Sequence, residues 1–119
     1  MSGPAIVLLG ARSAGLARRV AALLPEAEIQ PVAARPTEQM RALFAAGRPI
    51  LGICAAGILI RALAPLLADK RQEPPVLALA EDGSAVVPLL GGHRGANELA
   101  RRIAQALGVA AAVTTAGDL

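Results

Sequence analysis

The stretch Gly91-Gly92-His93-Arg94-Gly95-Ala96-Asn97 holds the only histidine of the 119-residue chain. Imidazole is the side chain that changes charge nearest neutral pH, so it can take a proton, bind an anion or simply pack. The glycines open backbone paths closed to other residues and let a ligand approach the main chain. Asn97 and the N–H groups of 95–97 sit where a helix begins, and there they can cap it or hold an oxygen atom. The plain alternative is a glycine-rich lead into a helix, with an exposed His93 and Asn97 as its own cap. The residues alone leave both open.

Three other segments are rich in Gly, Ala and small polar residues: GARSAG (10–15), GICAAG (52–57) with Gly57, and TTAGD (114–118) with Thr114 and Thr115. In an open parallel sheet, ligands bind beyond the carboxyl ends of the strands, and all four segments are expected there. None is a nucleotide signature: GARSAG lacks the dinucleotide glycine pattern, and Leu16-Ala17 stand where a phosphate loop needs Lys and Ser or Thr. Lys70 and Arg71, in the polar loop ADKRQEPP (68–75), are either solvated or in reach of an acidic ligand. One histidine, one cysteine and scattered carboxylates make no metal site, and no cofactor is implied. Cys54 has no partner in sequence and reads as a small buried thiol.

These segments need elements to hold them. AIVLL (5–9), PILGIC (49–54) and VLALA (76–80) are short apolar runs of the kind that form buried strands, and AEIQPV (27–32) is a weaker one. Helical spacing places Leu16, Val20 and Leu23/Leu24 on one face, and Met40, Leu43 and Phe44 on one face of 36–47, which Gly47 ends. Residues 55–68 read as a largely buried helix disturbed near Pro65. EDG (81–83) between VLALA and SAVVPL (84–89) predicts a hairpin. A helix over 95–107 has Leu99, Ile103 and Leu107 along one side and Gly108 at its end. VAAAVTT (109–115) is expected to close as a strand. Strands alternating with helices in this way predict a three-layer α/β domain: a mostly parallel, doubly wound sheet of about five strands with a β-hairpin added. The whole of 1–119 reads as a single domain. Gly-Asp after a last strand opens a further element, so the chain is expected to be a piece of a longer protein.

Composition narrows the partners. Hydrophobic residues make up 55% of the chain, and Phe44 is the only aromatic. The core is therefore aliphatic, and the stacking platforms of single-strand nucleic-acid binders are missing. The net charge is +3 and the pI about 10.4, which favours acidic partners. The positive charges are spread rather than clustered, so nucleic acid is not expected. A single cysteine fits a reducing, cytoplasmic setting. The first ten residues lack the basic lead of a signal peptide. From Pro49 to Ala68 only Arg61 is charged, but Gly52, Gly57 and Pro65 divide that span into a strand and a helix, so no membrane crossing is expected.

Residues 52–118 resemble the N-terminal domain of the CbiG family of cobalamin biosynthesis, the cobalt-precorrin-5A hydrolases. The matching pattern begins with a Gly…Ala-Gly-Ile loop, then an Arg and a Pro-Leu in the helix, then Asp-Lys. It continues through PPV, an acidic-Gly turn, Leu-Leu-x-Gly-His, Gly-Ala-Asn-Glu-Leu-Ala and Thr-Thr-Ala. The family's Gly-His-x-Gly-Gly-Ala-Asn stands here as Gly92-His93-Arg94-Gly95-Ala96-Asn97, one glycine short. The resemblance implies hydrolytic opening of a precorrin δ-lactone with release of acetaldehyde, the domain being inactive in isolation. It implies a tetrapyrrole polycarboxylate as substrate and further domains of the same pathway protein as partners. On that basis His93 and Asn97 are the candidate catalytic pair. Gly57, Lys70, Arg71, Gly91, Gly92, Arg94, Gly95, Thr114 and Thr115 are the candidate substrate contacts. Two other readings stand beside it: a non-catalytic tetrapyrrole-binding or docking domain fused to a precorrin-3B C17-methyltransferase, and an unrelated doubly wound anion-binding domain.

Overall fold

A computed structural model describes residues 3–118. The apolar runs form β1 (Ala5–Leu8), β2 (Glu28–Ile29), β3 (Ile50–Ile53), β4 (Val76–Leu79) and β5 (Val86–Leu90). Between and after them lie α1 (Ala14–Leu23), α2 (Pro36–Ala45), α3 (Ala56–Leu63) and α4 (Ala96–Leu107). One sheet results, in the order β2-β1-β3-β4-β5. Its first four members are parallel, and β5 returns antiparallel beside β4. This is the expected three-layer, mostly parallel arrangement with a hairpin at one side.

Every residue of β1, β3 and β4 is buried, because helices cover both faces and neither face can be polar. On one face Ile6, Leu51 and Leu77 meet α1 and α4 through Leu16, Val20, Ala100 and Ile103. On the other, Val7, Ile50 and Val76 meet α2 and α3 through Met40, Phe44, Leu59 and Leu63. Neighbours along a strand go to opposite faces, as its two-residue period requires. With a single aromatic, close approach replaces bulk. Gly52 makes room on β3 for Leu59, whose Cδ1 lies 2.8 Å from where a Cβ would stand.

Chain turns follow the glycines. After α4, Gly108 adopts φ +73°, and Val109 N–H donates to the Ala104 carbonyl at 2.9 Å, a glycine stop that satisfies the last carbonyls of the helix. Gly47 ends α2 in the same way, with Arg48 N–H on the Leu43 carbonyl at 3.0 Å. In the hairpin, Gly83 has φ +77°, and Asp82 accepts from Ser84 N–H at 2.9 Å. Asp82 is exposed and so turns the chain at the surface. The span from Pro49 to Ala68 does divide, into β3, α3 and a 3-10 turn at Ala64–Leu66 that contains Pro65. Among the described residues no helix is long and apolar enough to cross a membrane.

One element departs from expectation. Residues 109–115 make no strand, only an isolated parallel bridge between Ala111 and Val86. Ala112 N–H donates to the Val86 carbonyl at 2.9 Å. The next rung of that parallel ladder would need an N–H at position 88, and Pro88 has none. The ladder stops after one step.

Candidate functional site

The return of β5 decides where the candidate residues lie. Leu90, at its end, pairs with Val76, the first residue of β4. The segment that follows therefore emerges at the amino edge of the parallel strands. A Cβ on Gly91 would stand 2.9 Å from Pro75 Cα, just before β4. The 114–118 segment joins it there, since Asn97 Nδ2 donates to Thr115 Oγ1 at 3.1 Å. By contrast, residues 10–15 and 52–57 follow β1 and β3 and lie at the carboxyl edge. The expectation that all four segments share the carboxyl edge is thus corrected. A single antiparallel strand splits them into two pairs, and Gly57 is parted from the other candidate contacts.

Within the amino-edge loop, Gly91 (φ +69°) and Gly95 (φ +114°) occupy backbone regions that side chains rarely tolerate. Residues 92–94 between them form one 3-10 turn. Its Gly91 carbonyl accepts from both Arg94 N–H (2.9 Å) and Ala96 N–H (3.0 Å). His93, Arg94 and Gly95 are exposed, whereas Ala96 and Asn97 are buried. Two donors expected to face a ligand are therefore engaged within the protein: the Ala96 N–H on Gly91, and the Asn97 amide on Thr115. Asn97 is 3% exposed. A Cβ on Gly92 would meet Thr115 Oγ1 at 3.1 Å and the Asn97 amide at 3.3 Å. These contacts fasten the loop to the 114–115 segment and so fix where His93 projects. Asn97→Ala should cost about 2 kcal/mol, by leaving buried polar groups without a partner. Thr115→Val should cost less, and the double variant less than the sum of the two, as thermal melts would register.

Lys70, Arg71, Gly91, Gly92, His93 and Arg94 line one cavity of about 300 Å³. Six of the eleven candidate residues are thereby brought together. A Cβ on Gly117 would stand 4.0 Å from His93 Cε1, so the end of the chain borders the same place. Thr114 is exposed, and Thr115 is half-buried. Asp69, not among the candidate site residues, sets the loop: its Oδ1 accepts from Arg71 N–H at 3.0 Å and from Arg71 Nε at 3.2 Å. Those two bonds, with the nearby Arg94 charge, hold the Asp69 carboxyl below its usual range. Its signal was local, an Asp two residues before an Arg. Among the described residues three cations, Lys70, Arg71 and Arg94, line the cavity with Asp69 bonded beside them, so the hollow favours anions. Next to it, Arg94, Gly95, Glu98 and Arg102 line a second hollow of about 280 Å³ with Pro49 and Pro75.

At the carboxyl edge the chemistry is quieter. Arg12 and Glu81 pair at 3.7 Å across the surface. Arg61 folds back over Gly57, its Nη1 2.8 Å from where a Cβ would be. Cys54 is 4% exposed, and burial, aided by the Glu81 charge, pushes its thiol up to about 11. At pH 8 it should therefore be almost wholly protonated, and it should react with a disulfide reagent at least tenfold more slowly than in urea. Equal rates would show the thiol to be accessible. Among the described residues no group of three or more His, Cys, Asp or Glu could hold a metal ion.

A family model described as Cobalamin synthesis G N-terminal matches residues 38–118. The chain belongs to the cobalamin synthesis G N-terminal family. A cobalt-precorrin-5A hydrolase from Salmonella typhimurium is 37% identical over 87% of the chain and 33% of its own length. A second, from Priestia megaterium, is 38% identical over 65% of the chain and 21% of its own length. The chain thus spans a third or less of these relatives. The crystal structure of a cobalamin biosynthesis protein G homolog from Sulfolobus solfataricus superposes with a TM-score of 0.78. That match covers 94% of this chain and 36% of the other, at 19% identity, and it shows the shared fold. The family match spans α2 through the 114–118 segment, so the whole amino-edge cavity lies within it.

Proposed function

We propose that this domain acts in cobalamin synthesis by binding a precorrin-type tetrapyrrole polycarboxylate at the amino-edge cavity. The observation that carries the reading is the cavity itself: Lys70, Arg71 and Arg94 converge with His93 on one hollow, with Asp69 as the counter-charge. Peripheral acetate and propionate groups are suitable partners for such cations, which make short, charge-assisted bonds to carboxylates. The relatives are cobalt-precorrin-5A hydrolases. Carried to this chain, the step is attack of water on the δ-lactone carbonyl, which frees a carboxylate and an alcohol. The C–C bond from the ring to the alcohol carbon then breaks, that carbon leaves as acetaldehyde and the ring carbon takes the proton. His93 is exposed and lines the cavity, and in this reading it takes the proton from that water.

A second reading has a specific observation in its favour. The Asn97 amide and the Ala96 N–H are both engaged within the protein, so this loop offers fewer donors for a developing oxyanion than its sequence implies. That favours a domain that binds and orients the tetrapyrrole while other parts of a family-length protein complete the reaction.

Calorimetric titration with cobyrinic acid, a cobalt corrin bearing free carboxylates, tests the binding that both readings share. Binding should be micromolar and weaken as salt rises, while ATP should not bind. Replacing Lys70 and Arg94 with Ala should weaken binding by about 10- to 100-fold, the loss of one or two charge-assisted contacts. Unchanged affinity in that variant would remove the cavity from the reading.

A further inference from the structure

Among the described residues the sheet has five strands and two helices on each face, and the cover is uneven. On one face α4 packs across β4 and β5. On the other, α2 lies over β3, and α3 reaches β4. Nothing described lies beyond α3, so that face of β5 is left partly bare, with Leu89 and Leu90 only half-buried. Between α3 and β5 runs a groove of about 120 Å³, lined by Ile60, Leu63, Leu67, Val76, Leu89 and Leu90. Ile60, Leu63 and Leu67 recur at i, i+3 and i+7, one stripe of a helix and its extension. Leu63 is buried at the floor of the groove, while Ile60 is 54% exposed and Leu67 42%, two apolar side chains left facing water at its rim.

Two chain segments lead directly from this groove to the cationic cavity. Leu67 precedes Lys70 and Arg71 by a few residues, and Leu90 is followed at once by Gly91–Arg94. An apolar trough therefore ends in a positively charged rim. A small polyanion would satisfy the rim and leave the trough wet. An apolar peptide would fill the trough and leave the cations without partners. Resting on the proposed tetrapyrrole reading, we infer that the α3–β5 groove takes one apolar edge of the macrocycle while Lys70, Arg71 and Arg94 hold its peripheral carboxylates. The domain thus selects ligands that combine an extended apolar ring with carboxylates along one side, and it discriminates against acyclic polycarboxylates.

The test compares two probes on the intact chain, cobyrinic acid and butanetetracarboxylate. Cobyrinic acid should bind at least tenfold more tightly, with a clearly negative heat-capacity change, the mark of apolar burial. Ile60→Gln with Leu67→Gln alters two exposed positions. It should weaken cobyrinic acid about tenfold, leave butanetetracarboxylate unchanged and bring the heat-capacity change nearer zero. Lys70→Ala with Arg94→Ala should weaken both probes. If the glutamine variant binds cobyrinic acid like the parent while the alanine variant does not, the groove inference fails and the cavity reading stands. If the alanine variant also binds like the parent, or the parent binds neither probe, the cavity reading itself fails. A dimer in sedimentation that the glutamine pair dissociates would assign the groove to a second copy and overturn the inference. Should the glutamine pair melt at a much lower temperature, the parent's heat-capacity change decides alone, a value near zero with tight binding counting against the groove.

Discussion

Replacing His93 with alanine should lower lactone opening by about 10²- to 10⁴-fold, the usual contribution of a positioned general base. The measurement calls for a family-length protein with this chain in place of its amino-terminal third, since relatives are about three times as long as the matched region. Acetaldehyde release reports the reaction. Corrinoid affinity, measured in parallel, should stay within a few-fold of the parent, because the proposed binding rests on Lys70, Arg71 and Arg94. If activity survives, His93 is not the base. If affinity and activity fall together, it is a binding residue, and the orienting role of the domain becomes the better account. His93→Gln sharpens the comparison, as it keeps a polar side chain of similar reach without the proton-accepting ring nitrogen.

The second large effect is expected on stability, at Gly91. This residue has φ +69° and faces the Pro75 backbone, whose Cα and N would each lie 2.9 Å from an added Cβ. Neither the torsion nor the backbone contact can relax cheaply, so Gly91→Ala should cost about 3 kcal/mol. For a domain of this size that is a fall of roughly 10 °C in melting temperature. Gly95→Ala offers a control. Its φ of +114° is also strained, but the nearest atom is Pro75 Cγ at 3.8 Å, with no clash. The strain alone should cost about 1–2 kcal/mol. Equal melting temperatures for the two variants would mean that the Pro75 contact gives way without penalty.

The layers were legible because burial on both faces turns β1, β3 and β4 into unbroken apolar runs, and because Gly47, Gly83 and Gly108 punctuate the chain where the backbone must turn. Two things were not. The strand expected at 109–115 had suitable side chains, but a ladder is made by the backbone, and the missing donor belongs to Pro88 on a different segment. The grouping of the candidate loops failed for a related reason. The Asp82-Gly83 hairpin was legible, but an added antiparallel strand delivers whatever follows it to the opposite edge, away from the loops after β1 and β3. Of the site residues, Lys70, Arg71, His93 and Arg94 could be picked from charge and glycine context. The inward turn of Asn97 could not be picked in this way, because it depends on where Thr115 comes to rest.

That same reversal of β5 has a consequence for how the domain tolerates change. The strands between its two edges are four residues long, about 13 Å. Substitutions around Gly57 or Arg12 and substitutions around His93 are thus far enough apart, with no shared partner, for their energies to add within about 0.5 kcal/mol. Loops at one end can drift, lengthen or be exchanged without retuning the other. A domain built this way can acquire a new neighbour at the β1 and β3 loops while the His93 cavity keeps its geometry, because the packed strands between them act as a rigid insulator.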